Sequence, residues 1–176
     1  FSLSFASLYW GFGNTFTYKN WDLDVFIYSQ LGVDKYNDVY SWTSGRGLGN
    51  QTNNMSVYIK DVWHSELNPN GTIPGIAYEM ASVSLPGGAG TDIGYENSSF
   101  VRVRNITLGY NFKPNQLGAL SKLLSGIRVY VDVQNPFTFT GYTGLDPEVN
   151  TGGNYKGGKA EYPQTRTFSL GAKLSF

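Results

Sequence analysis

The sequence contains no cysteine, one histidine (His64) and only 15% charged residues. The missing cysteine excludes disulfide scaffolds, thiolate metal sites and cysteine nucleophiles. A histidine-rich metal site or a Ser-His triad would rest on His64 alone. Thirteen basic and thirteen acidic side chains cancel to a formal charge of zero, without the basic excess that a nucleic-acid partner demands. No Walker loop, G-x-S-x-G, H-E-x-x-H or EF-hand loop is present. The uncharged run 1–18 is long enough on paper to span a bilayer. Ser2, Ser4, Ser7, Gly11, Gly13, Asn14, Thr15 and Thr17 make it a poor helix for lipid. At 176 residues there is room for one domain with a core but not for two large ones. The start at Phe1, without methionine or signal peptide, is what a processed, trimmed or partial chain would show.

What the chain has in quantity is aromatic residues (16%) and glycine (22 residues), set in period-two alternation. In 8–18 the even positions Leu8, Trp10, Phe12, Phe16 and Tyr18 are apolar or aromatic, with Asn14 the exception. In 21–28 Trp21, Leu23, Val25 and Ile27 oppose Asp22, Asp24, Phe26 and Tyr28. In 105–112 Ile106, Leu108, Tyr110 and Phe112 oppose Asn105, Thr107, Gly109 and Asn111. In 127–134 Ile127, Val129, Val131 and Val133 oppose Arg128, Tyr130, Asp132 and Gln134. In 165–176 Phe168, Leu170, Ala172, Leu174 and Phe176 alternate with Thr, Ser, Gly and Lys. Successive strand side chains point to opposite faces, so each segment has one greasy face and one wet face.

A soluble β-sandwich would also alternate. Two further features favour a barrel in lipid. The joint Lys19-Asn20 is a two-residue hairpin, whereas 28–99 is a link of roughly seventy residues and 135–164 one of roughly thirty, odd lengths inside a compact domain. Short turns on one side and long loops on the other is the asymmetry of outer-membrane barrels. The greasy-face aromatics are also sorted by height. Tyr18, Trp21, Tyr110, Phe112 and Phe176 lie at the short-turn end, with aliphatic residues above them, as in an interfacial girdle.

Five blocks carry a resemblance. "NTFTYKNWDLDVFIYSQLG" (14–32), "VWHSELNPNGTIP" (62–74), "FVRVRNITLGYNF" (100–112), "GIRVYVDVQNPFTFTGYTGLDPEV" (126–149) and "YPQTRTFSLGAKLSF" (162–176) resemble, in order, the carboxy-terminal part of SusC-like TonB-dependent transporters of Bacteroidetes. Pro136 stands where a larger apolar residue is usual, and 75–98 matches no block. The resemblance implies that residues 1–176 are the C-terminal portion of such a barrel, without plug or N-terminal strands. The expected fold is all-β: an antiparallel transmembrane β-barrel segment of about five strands with long extracellular loops. It further implies an outer-membrane importer of oligosaccharides or peptides, capped by a SusD-like lipoprotein and energised by TonB. Phe176 would be the terminal signal read by the outer-membrane assembly machinery. The alternative is a soluble secreted β-sandwich that binds glycans through its loops. An outer-membrane enzyme would lack any catalytic constellation, and no cofactor or metal is implied.

Candidate ligand contacts are the loop aromatics Trp42, Trp63 and Tyr142 and the wet-face residues Asp132 and Gln134. Rings beside hydrogen-bonding neighbours suit oligosaccharides or peptides. His64, next to Trp63, reads as a solvated loop histidine. Asp146-Pro147-Glu148 reads as a turn. Gly45, Gly47 and Gly49 read as a flexible loop, and the five N-x-[ST] triplets as products of polar loops. Parity places Arg102, Arg104 and Arg166 with the lipid-facing residues, where an arginine at mid-bilayer costs roughly 2–4 kcal/mol. They are therefore expected at the headgroups, pairing with phosphates of outer-membrane lipid or lipopolysaccharide. The strands 8–18, 21–28, 99–112, 126–136 and 164–176 should form a meander with both outer edges unpaired within the chain.

Overall fold

The computed structural model describes residues 5–37, 56–73, 94–149 and 162–176. They fall into two compact units.

The first is a sheet. Five antiparallel strands, β1 (Leu8–Tyr18), β2 (Trp21–Leu31), β5 (Phe100–Phe112), β6 (Gly126–Thr140) and β7 (Thr167–Ser175), lie in that order. Each pairs with the sheet strand next to it in sequence, and β1 and β7 do not pair with each other. The meander and its open edges match expectation, while β2 and β6 run further than alternation predicts. Lys19 takes a positive φ of 56°, which lets two residues join β1 to β2.

Register puts the greasy positions in rows. Tyr18, Trp21, Tyr110 and Val129 form one row, and Phe16, Leu23, Leu108, Val131 and Leu170 the next. Above these come Asn14, Val25, Ile106, Val133 and Phe168. Among the described residues no second sheet covers this face: Leu170 is 77% and Phe168 71% exposed. A β-sandwich would bury these side chains, so that alternative falls.

Aromatics mark both ends of the apolar face. At the lower end Trp21 meets Tyr110 edge-on at 4.8 Å, and Tyr110 meets Phe112 at 4.7 Å. At the upper end Trp10, Phe12, Phe137 and Phe139 share the face. Eight residues separate Trp10 from Tyr18, about 20 Å of height at ~3.3 Å per residue and ~40° of tilt. That fits an apolar band of about 25 Å between two interfaces.

The arginine expectation needs correction. A bulge interrupts the sheet where Phe26 pairs with Asn105 but Ile27 pairs with Val103. Arg104 is the extra residue, and upstream of it the parity of β5 reverses. Val101 and Val103 therefore join the apolar face, and Arg102 moves to the polar face opposite Tyr28 and Thr138. Its Nε donates to Thr138 Oγ1 at 2.9 Å, and the side chain is buried. Arg104 places its guanidinium over the Tyr28 ring at 5.7 Å. Arg166 lies over the Phe137 ring, 6.0 Å from its centroid, in the upper aromatic band.

The second unit holds a short ribbon, β3 (Asp34–Tyr36) against β4 (Tyr95–Asn97), with Tyr36 edge-on to Tyr95 at 5.2 Å. It also holds a 3-10 turn, Val57–Asp61, and the stretch 142–149.

The facing of the sheet predicts an asymmetric response to charge. Leu108→Arg should destabilise the folded barrel by roughly 2–4 kcal/mol, whereas Thr107→Arg, one residue away on the polar face, should fold nearly as well. Heat-modifiable migration of the full-length protein on detergent gels will show the difference.

Candidate functional site

The polar face divides into two panels. In the lower one, charged and amide side chains satisfy one another across strands. Arg128 of β6 forms an ion pair with Asp22 of β2, and Asn111 Nδ2 donates to the same carboxylate at 2.5 Å. Gly109 of β5 lies between these partners. A Cβ there would stand 2.6 Å from Asp22 Oδ2 and 2.7 Å from Arg128 Nε, so only glycine leaves room for the pair. One row up, Asp132 accepts from Asn105 and from Thr107 Oγ1, the latter at 2.6 Å, while Thr15 donates to Asp24. Partly buried charges persist because each has a partner.

The upper panel is aromatic. Phe26 and Tyr28 project from β2 with rings nearly parallel, centroids 6.4 Å apart. Phe100 meets Tyr28 edge-on at 5.4 Å, and Arg102 lies over Phe100 at 5.2 Å. Phe26 leans across β1 over Gly11 and Gly13, its ring atoms 3.5 Å from where their Cβ atoms would stand.

Of the predicted contacts, Asp132 and Gln134 do lie on the polar face. Asp132 is engaged by Asn105 and Thr107, and Gln134 is exposed in the row of Asn105 and Thr167. Trp63 lies in the loop unit with its ring about half exposed. Its backbone N–H donates to Ile73 O at 2.7 Å. Tyr142 is buried beneath Lys35, whose Nζ is 5.4 Å from the ring centroid. Trp42 lies outside the described residues. The structure thus brings Asp132 and Gln134 onto one wall, while Trp63 and Tyr142 belong to the second unit.

The loop motifs serve their own backbones. His64 Nδ1 accepts from the N–H groups of Glu66 and Leu67 at 3.2 and 3.1 Å, closing a turn rather than standing free in solvent. Asp146 Oδ1 accepts from Glu148 N at 2.8 Å, the turn expected there. Lys35 Nζ donates to Asp146 O at 3.0 Å. Glu96 of β4 accepts from Thr143 N and Oγ1, at 2.9 and 2.8 Å. Asn37, 2% exposed, donates to Glu96 and Thr143. The stretch 142–148 is therefore tied to the β3–β4 ribbon. Sequence inspection missed Phe26 and Arg104 as a pair around Tyr28. The signal for Phe26 was an aromatic on wet parity; Arg104 gave none, because a bulge re-aims it.

The crowding at Gly109 is testable. Gly109→Val should force the Asp22–Arg128 pair apart and destabilise the barrel by about 1–3 kcal/mol. Gly141→Ala, where a Cβ meets nothing within 4 Å, should leave the thermal midpoint unchanged.

Comparison with known proteins places this wall. No family model matches the chain. It is 33% identical over 168 residues to the TonB-dependent receptor SusC of Bacteroides thetaiotaomicron, covering 94% of the chain and 15% of that protein. Against TonB-dependent receptor P3 of Formosa agariphila it is 31% identical over 174 residues, covering 94% of the chain and 16% of the relative. The chain thus spans about a sixth of the length of these curated relatives. Among solved structures, the RagAB peptide transporter superposes with a TM-score of 0.70 at 27% identity, over 94% of this chain and 17% of that one. In sequence across nearly its whole length, and in the order and pairing of its strands, the chain belongs to the SusC-like TonB-dependent receptors of the outer membrane, of which it is a stretch of barrel wall.

Proposed function

We propose that this chain is the C-terminal wall of an active importer that carries oligosaccharides or peptides across the outer membrane. The observation that carries the reading is the sheet itself. It has one apolar face banded by aromatics, one polar face with Asp22 paired to Arg128, and, among the described residues, outer edges of β1 and β7 without a ladder partner. Free strand edges cannot remain unsatisfied in lipid. In this reading β7 pairs with the first barrel strand and β1 with the strand before it, both outside this sequence, and the closed barrel surrounds a plug.

TonB acts on that plug from the periplasmic side, and a SusD-like lipoprotein closes the mouth above the loops. The likeness to RagAB, a peptide transporter, supports an importer. The likeness to SusC supports the same reading. The chain's own part is passive, to form wall and polar surface, and not catalytic. Trp63 on the loops and Gln134 on the wall, both exposed, contact the solute in this reading. Asp132 shapes the surface beside Gln134, and Arg166 above Phe168 meets lipopolysaccharide phosphate.

Deletion of the full-length gene in its host tests the proposal. The protein should fractionate with the outer membrane, and uptake of its solute should vanish equally in the deletion strain and in one without TonB. A protein found in the soluble secreted fraction, or uptake indifferent to TonB, would sink it. Trp63→Ala and Gln134→Ala should each weaken binding about 5- to 30-fold, the effect of losing 1–2 kcal/mol, in titrations of the purified transporter with that solute.

A further inference from the structure

One feature of the wall is not explained by holding a barrel together. Phe26 projects from the polar face, yet 44% of it is exposed. An exposed phenyl ring among Asp, Asn and Thr contributes nothing to lipid solvation, because it faces away from the apolar side. Gly11 and Gly13 of β1 lie under the ring, whose Cε2 and Cδ2 are at ordinary contact distance, 3.5 Å, from where their Cβ atoms would stand. Tyr28 runs nearly parallel to it, 6° between planes, with the Arg104 guanidinium over Tyr28.

The bulge runs through this spot. The β2–β5 register shifts between Phe26 and Ile27, and the β5–β6 register between Val103 and Asn105. On β6, Asn135 bears the strain with φ 49°. Bulges that re-aim side chains recur beside functional sites. Here the bulge draws Arg104 out of the apolar parity and onto Tyr28.

The surroundings select a ligand class. Asp22, Asp24 and Asp132 belong to the lower panel, each held by a partner. At the height of Phe26 and just above it lie the exposed, uncharged Gln134, Thr138 and Thr167, with the guanidinium groups of Arg102 and Arg104 turned onto the Phe100 and Tyr28 rings and no carboxylate in these rows. An aromatic face ringed by amide, hydroxyl and guanidinium groups, without a carboxylate to bind a cation, suits a solute with a C–H face and a hydroxyl rim. We propose that Phe26, seated over Gly11 and Gly13 and flanked by Tyr28 and Arg104, is a lumenal platform on which a pyranose ring of a neutral oligosaccharide stacks. The assignment rests on the importer reading and adds to it a place and a solute class.

The test uses the full-length transporter, purified in detergent. Probes are a panel of neutral oligosaccharides (α- and β-linked glucans, mannans, xylans and galactans) and a tryptic digest as the peptide arm. At least one oligosaccharide should bind. Phe26→Ala and Phe26→Leu should weaken it about tenfold or more, while Phe26→Trp should stay within about threefold. Phe26→Leu keeps apolar bulk but loses the ring face, so its loss identifies stacking. Lys173→Gln, at the bottom of the same wall, should change nothing. Three results would overturn the platform: leucine binding like phenylalanine, binding of peptides but no neutral oligosaccharide, or a Phe26→Ala protein that melts lower with affinity unchanged. The last would mean that the ring packs against another part of the receptor. Each leaves TonB-dependent uptake intact; failure of the importer reading would instead show as uptake that ignores TonB.

Discussion

Hydrocarbon offers no hydrogen bonds, so every backbone N–H and C=O that crosses it must find its partner within the protein. The rest of this chain follows from that constraint. In the five-stranded sheet, β2, β5 and β6 are laddered on both sides, and among the described residues β1 and β7 keep an outer edge without a ladder partner. Even the proline obeys it. Pro136, which has no N–H, sits on the central strand β6 within the register shift, where neither Asn135 nor Pro136 has a ladder partner on β5.

The same constraint explains how a greasy-faced strand carries arginines. "VRVRN" in plain alternation would hold Arg102 and Arg104 against lipid, at roughly 2–4 kcal/mol each if they reached mid-bilayer. A single extra residue resolves the conflict. Beyond the bulge Val101 and Val103 take the outward positions, and Arg102 turns inward to Thr138 and the Phe100 ring. The insertion also breaks the polar face into two unlike halves. Below it lie compensated charges; above it, stacked rings.

The loop unit follows a different economy. With no lipid to sort its residues, order comes from side chains bonding to nearby backbone. Asn68 Nδ2 donates to Lys60 O and Val62 O, both at 3.1 Å, and His64 closes the adjoining turn. Glu96 gathers Asn37 and Thr143, and Lys35 spans the Tyr142 ring and the Asp146 carbonyl. A run that looks in sequence like a ligand motif is thus largely a brace. Rims that must present a fixed surface to a solute need such bracing, because loops are otherwise mobile.

The sequence by itself determined the five strands of the sheet, their order, the two faces and the aromatic band at the lower end, but not the β3–β4 ribbon, which lies in what reads as a long loop. The five strands, their faces and the band are local consequences of period-two alternation and of a two-residue turn at Lys19-Asn20, and both are written in neighbouring residues. It determined the family too, because five blocks keep their order. Only the tertiary structure decided where Arg102 and Arg104 point, why Gly109 is glycine, and that Tyr142 is buried. Each of these depends on a residue distant in the chain: Tyr28 and Thr138 for the arginines, Asp22 and Arg128 for Gly109, Lys35 for Tyr142. A bulge shifts parity by one, and nothing in the alternation of a single strand shows where its neighbours will require that shift.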